Sequence, residues 1–105
     1  MRSQGKVLQA KSNLTTLRLE EAKLIDAIRL QTREAVDNLQ EAGEIVIALA
    51  ATVDQTDRLL MMAERGYEFG VKTKLELDDA ALNRIRARGN LARARRDYLV
   101  ALATL

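Results

Sequence analysis

The sequence predicts an all-α protein, a long antiparallel helical hairpin in which one long helix is followed by one about half its length. Three observations lead to this fold class. Apolar residues recur at alternating spacings of three and four, the pattern of a helix that packs along a seam. The chain contains no proline and only 3% aromatic residues, which is typical of long helices packed side by side. Two glycines four residues apart, at 66 and 70, then interrupt the pattern.

The first predicted helix runs from about residue 5 to residue 67, a length of about 90 Å. Its main apolar stripe, the first seam, consists of Val7, Ala10, Leu14, Leu17, Leu24, Ile28, Ala35, Leu39, Ala42, Val46, Leu49, Val53, Leu60, Ala63 and Tyr67. A weaker second stripe consists of Leu8, Leu19, Ala22, Leu30, Ile45, Ala48, Leu59, Met62 and Phe69. A helix with two apolar stripes is expected to contact neighbours on two sides.

A tip turn is predicted at about residues 68–73. Gly70 can adopt the left-handed conformation of a helix C-cap, and Gly66 is expected to loosen the last turn of the first helix. Thr73 is the predicted N-cap of the next helix, and Glu76 stands three residues later, which is the spacing of a capping box. Acidic residues in this first turn suit the helix dipole.

The second predicted helix runs from about residue 74 to residue 104 and also carries two apolar stripes. One stripe consists of Leu82, Ile85, Gly89, Ala92, Leu99 and Ala103. The other consists of Ala80, Ala87, Leu91, Ala94, Tyr98, Ala101 and Leu105. Because a short connection makes consecutive helices antiparallel neighbours, we expect Leu60 to lie opposite Ile85 and Val53 opposite Leu91.

The same register brings opposite charges together across the hairpin. Asp54 and Asp57 are expected within reach of the arginines of the second helix, with Arg84 and Arg88 as candidate salt-bridge partners. Residues 1–79 hold eleven basic and fourteen acidic side chains, whereas residues 80–105 hold six arginines and one aspartate. Because the second helix is short, residues 5–36 carry a seam that nothing in this chain is expected to cover.

The residue types present argue against catalysis. The chain has neither cysteine nor histidine, which removes the thiolate ligands, the commonest metal ligand and the usual general base. We therefore expect no enzyme activity, no cofactor and no metal site. The chain has no apolar run of the about 18 residues that a membrane-spanning helix needs, and its first residues, MRSQGKVLQAK, lack the apolar region of a signal peptide. If the protein is exported, we therefore expect this chain to be a segment of a longer protein.

Two segments resemble the second half-repeat of the TolC-like outer-membrane efflux proteins. These are "YEFGVKTKLELDDA", at residues 67–80, and "RARGNLARARRDYLVALATL", at residues 86–105. The start "SQGKVLQAKSNLTTL" is also similar to the family's long periplasmic helix just after a β-strand. The resemblance covers essentially the whole chain and implies a piece of a homotrimeric duct. In such a duct an outer-membrane β-barrel continues into a periplasmic tunnel of helices in a Gram-negative bacterium.

The resemblance also implies roles for the tip. Glu76 and Asp79 match acids at the tunnel entrance, and Tyr67 and Lys72 match residues near its constriction. The docking site of a periplasmic adaptor protein, which connects the duct to an inner-membrane pump, is implied at the tip. Its residues are Gly70, Val71, Thr73 and Leu75. No contact of this segment with the membrane or with nucleic acid is implied.

Other interpretations of these residues stay open. Glu76 and Asp79 also suit the first turn of any helix, and Tyr67 also suits packing in a core. The alternative function is a free-standing coiled-coil interaction module whose seam is satisfied by self-association. A third is an arginine-rich hairpin that binds nucleic acid, although no aromatic platform accompanies the arginines.

Overall fold

The computed structural model describes residues 2–105, which form two helices. Helix α1 spans Arg2–Glu68 with 67 residues, and helix α2 spans Lys74–Thr104 with 31 residues. The described residues contain no strand. These bounds confirm the predicted all-α hairpin with a second helix about half as long as the first. Helix α1 begins slightly earlier than expected because Gly5, at a cost of about 1 kcal/mol, is tolerated inside it.

The chain divides into two units, Met1–Ala35 and Val36–Leu105. Within the first unit every residue from 2 to 34 is exposed. Its large apolar side chains remain between 41 and 67% exposed; they are Val7, Leu8, Leu14, Leu17, Leu19, Leu24, Ile25, Ile28 and Leu30. The seam that was expected to lie uncovered is therefore exposed.

The second unit is the hairpin itself, and its core is a thin layer between the two helices. The buried side chains are Val53, Ala63, Ala87, Leu91 and Ala94. Val53 packs with Ala87 and Leu91, as the predicted register required for the pair of Val53 and Leu91. Three of the five core residues are alanines, whose small side chains let two helices approach closely.

The expected pairing of Leu60 with Ile85 is wrong. Ile85 is 67% exposed, while its neighbour Arg84 is half-buried beside Asp57. One residue along a helix rotates the side chain by about 100°, so placing Arg84 toward α1 turns Ile85 away. The stripe of α2 that contains Ile85 is therefore not the one that packs against α1.

Gly43 lies where α1 meets the ring of Tyr98. A Cβ atom added at Gly43 would stand 3.4 Å from Cε2 of Tyr98, which is ordinary van der Waals contact. Tyr98 is half-buried. An alanine would therefore fit at this position, so the approach of Tyr98 does not require a glycine in the interior of α1.

Each helix leaves one of its two apolar stripes exposed in this unit. On α1 the exposed members include Ile45, Leu59 and Met62, at 46 to 63%. On α2 Leu82 and Leu99 are 44 and 62% exposed. Within residues 2–105 neither helix offers an apolar stretch of the length needed to cross a bilayer.

Candidate functional site

The candidate site is the tip of the hairpin, which begins with a Schellman motif at the end of α1. The amide of Val71 donates to the carbonyl of Gly66 at 2.7 Å, and the amide of Gly70 donates to that of Tyr67 at 3.1 Å. Gly70 has φ +74°, the left-handed conformation that a side chain rarely adopts. Gly70 is thus the predicted C-cap, and its backbone ends the helix.

The prediction that Gly66 loosens the last turn is wrong. Its carbonyl also accepts a hydrogen bond from the amide of Lys72 at 2.9 Å, so it anchors two backbone amides of the turn. A Cβ atom at Gly66 would overlap Cγ of Lys72 and stand 3.2 Å from its Cβ. The glycine is needed because the chain folds back directly onto its α-carbon.

Thr73 begins α2 as the predicted N-cap. Its side-chain oxygen accepts a hydrogen bond from the amide of Glu76 at 3.1 Å, and its backbone is extended, with φ −82° and ψ 162°. The carboxylate of Glu76 does not complete the capping box; it lies 3.9 Å from Nζ of Lys72. Glu76, a predicted entrance acid, and Lys72, a predicted constriction residue, therefore form a loose ion pair on the surface.

A groove of about 310 Å³ lies beside the tip between α1 and α2. The two predicted entrance acids, Glu76 and Asp79, both line it, together with Lys72. The opposite wall is apolar and includes Leu59 and Met62. The structure thus gathers three of the predicted site residues into one amphipathic surface.

The end of the tip exposes large apolar side chains. Val71 and Leu75, both predicted docking residues, are 78 and 70% exposed. Phe69, which lies in the predicted tip turn but was not among the predicted docking residues, is also 78% exposed. Three exposed large apolar side chains within seven residues of one turn are a candidate interaction surface. The signal that could have identified Phe69 is its position one residue before the C-cap glycine.

Tyr67 lies outside the hairpin core. Its side chain is 45% exposed, and Nζ of Lys74 stands 5.8 Å from the centre of its ring, within reach of a cation–π interaction. The structure therefore does not support packing in the core as the role of Tyr67.

An ion cluster joins the two helices below the tip. Arg84 donates from Nε to Asp57 at 2.7 Å, and Arg88 donates from Nη2 to the same carboxylate at 3.4 Å. The hydrogen bond from Arg84 holds the pKa of the Asp57 carboxyl below its ordinary value. Among residues 2–105 no ion pair involves Asp54, the other predicted acid. Because the cluster is largely exposed, salt screens it, and its main effect is on the register of the helices.

The remaining arginines of α2 are partly engaged within the helix. Arg93 donates to Asn90 at 2.6 Å, and Arg96 donates to the neighbouring Asp97 at 3.2 Å. Four of the six arginines in residues 80–105 therefore bond to side chains of this chain. Within the described part of the chain no group of three or more acidic residues is placed to hold a metal ion.

Comparisons of the chain with protein-family models, with curated proteins and with solved structures each found no match.

Proposed function

We propose that the chain is a helical-hairpin segment of the periplasmic tunnel of a TolC-like outer-membrane efflux or secretion duct. Its support is the resemblance of residues 67–80 and 86–105, together with one structural observation that carries most weight. The hairpin buries one apolar stripe of each helix and leaves the other stripe exposed. In a closed ring of helices every helix has two neighbours, so such a hairpin has the second contact surface that a tunnel wall requires.

In this proposal residues 66–80 form the periplasmic tip of a homotrimer. Glu76 and Asp79 line one groove beside the tip, and three protomers would supply three copies of each acid. Rings of carboxylates favour cations and tune the conductance of a pore. Tyr67 and Lys72 would lie near the constriction, and the duct opens when the helices shift at the tip.

The proposed partners are a periplasmic adaptor protein and, through it, an inner-membrane pump. The exposed Val71 and Leu75 offer the adaptor an apolar contact next to Gly70. The duct does no chemistry of its own and provides a water-filled path. The parent protein is proposed to lie in the outer membrane of a Gram-negative bacterium, with this segment in the periplasm and without nucleic-acid or membrane contacts.

Replacing Gly70 with tryptophan in the parent protein is expected to abolish export while the trimer still assembles. No atom lies within 4 Å of a Cβ added at Gly70, so the indole would project outward from the tip and obstruct the adaptor. Export of a pump substrate and native electrophoresis of the trimer measure the two effects.

The matched control is Gly70→Asn, because asparagine tolerates the left-handed conformation better than most residues and adds little bulk. It should keep most of the export activity. Normal export by Gly70→Trp would remove Gly70 from the docking site, and equal loss in both variants would assign the defect to the backbone.

The second candidate function is a free-standing coiled-coil interaction module. The observation that favours it is the exposure of every residue from 2 to 34, because an apolar seam of that length calls for a partner helix. A parent gene that encodes no β-barrel would favour this module over the duct.

A further inference from the structure

The first unit carries a long apolar face whose described residues up to residue 34 are all exposed. We call it the N-terminal face and define it by Val7, Ala10, Leu14, Leu17, Glu21, Leu24, Ile25 and Ile28. Its six large apolar side chains are between 41 and 61% exposed. A single helix in water is marginal even when its residues favour helix, so this stretch gains its stability by packing against another helix.

We infer that in the purified chain the N-terminal face pairs with the same face of a second copy, running antiparallel. This inference does not rest on the duct proposal, in which helices of the parent protein would cover the same face.

The exposed apolar area of the N-terminal face is close to what each chain buries in a stable dimer. At about 100 Å² of exposed surface for each large apolar side chain, six of them offer about 600 Å². The aliphatic stems of flanking lysines and arginines add to this area. A standard stable interface buries about 800 Å² on each partner, so the face approaches what a dimer needs.

The distribution of charge selects the antiparallel orientation. Residues 2–19 carry four basic side chains and no acid, whereas residues 20–34 carry four acids and three basic side chains. A parallel pair would set the two basic segments side by side. An antiparallel pair sets each basic segment against the acidic one, which is the complementary arrangement.

Glu21 adds a second argument for the same orientation, because it lies within the seam. In a parallel pair the two Glu21 carboxylates would face each other across an apolar layer, which is costly for like charges. In an antiparallel pair Leu14 faces Leu24, Ala10 faces Ile28, and Glu21 lies beside Leu17 of the other copy. Arg18 of that copy directly follows Leu17, so its guanidinium can reach the Glu21 carboxylate and pair with it.

A pair of matched substitutions tests which face associates. Leu17 and Leu19 are 61 and 56% exposed, and at about 100° per residue they point to opposite sides of α1. Sedimentation equilibrium should give the wild-type chain twice its mass of 11.7 kDa. Leu17→Asp should reduce the chain to a monomer, and Leu19→Asp should leave the dimer intact.

Disulfide trapping tests the orientation, because the chain has no cysteine of its own. An Ala10→Cys chain mixed with an isotope-labelled Ile28→Cys chain should give a mixed disulfide about tenfold in excess over a control pair. The control is Ser12→Cys mixed with Asp26→Cys, which has the same register on the opposite side of the helix.

A monomeric wild-type chain at millimolar concentration would overturn the inference. So would loss of the dimer in Leu19→Asp but not in Leu17→Asp. Disulfides that join Ala10→Cys chains to each other in preference to Ile28→Cys chains would show a parallel pair and would overturn the orientation.

Discussion

Leu91→Asp is expected to open the hairpin, at a cost of at least about 3 kcal/mol in the free energy of unfolding. Leu91 is only 7% exposed and packs with Val53 and Ala87 in the centre of the core. An aspartate there loses the apolar contacts and buries a carboxylate among aliphatic side chains. The apolar side chains packed against this cluster, those of Val46, Leu49 and Ala50, offer a carboxylate no hydrogen-bond donor.

Urea unfolding followed by circular dichroism measures the effect, and Leu99→Asp is the matched control. Leu99 is on the same helix but is 62% exposed, so its replacement should change the free energy by about 0.5 kcal/mol or less. If both variants unfold at the same urea concentration, Leu91 does not lie in the stripe of α2 that packs against α1, which would contradict the structure.

Gly66→Val is expected to destabilise the tip by about 2 kcal/mol, because overpacking in a tight site costs about 1–3 kcal/mol. The new Cβ would overlap Cγ of Lys72, and two further methyl groups would crowd the turn. A change of rotamer could move Cγ of Lys72, but its Cβ would stay 3.2 Å from the new atom, because the amide of Lys72 donates to the carbonyl of Gly66 and holds the backbone in place.

Gly43→Ala provides the comparison for Gly66→Val in the same thermal unfolding measurement. Its Cβ would meet the ring of Tyr98 at 3.4 Å, an ordinary contact, and alanine favours a helix interior by about 1 kcal/mol. We expect Gly43→Ala to be neutral or stabilising. A stable Gly66→Val variant would contradict the close approach of Lys72.

The helices and their ends could be predicted because local chemistry determines them. The spacing of apolar residues defined the first seam, and Gly70 and Thr73 carry the backbone conformation and the hydroxyl that a C-cap and an N-cap need. The structure adds the hydrogen bonds of the Schellman motif, in which the carbonyl of Gly66 takes an unexpected part.

The register across the hairpin could be predicted only in part. Both helices carry two apolar stripes, and the sequence pattern does not determine which stripe of α2 faces α1. The pairing of Val53 with Leu91 was correct, but Ile85 belongs to the outward stripe. Likewise Arg84 meets Asp57 rather than Asp54. The two acids lie on similar sides of α1 but about 4.5 Å apart along its axis, so the pairing depends on the exact register of the two helices.

The residues of the candidate site were predicted from the family resemblance of residues 67–80, and the structure adds the shape of the surface that they form. Lys72, Glu76 and Asp79 share one groove because they lie in the turn and the first turns of α2. Phe69 lies within the predicted tip turn but was not among the predicted docking residues, because the apolar pattern assigned its side chain to a stripe of α1. What docks on this surface depends on a second molecule, which no pattern within one chain describes.

The measurement that tests the duct proposal most directly is the DNA sequence on both sides of the segment that encodes this chain. The proposal predicts a signal peptide, a first helical half-repeat and alternating strands of about ten residues, which are the elements of a barrel-anchored duct. A reading frame confined to these 105 residues would contradict it, because no barrel would then exist to anchor a tunnel in the outer membrane.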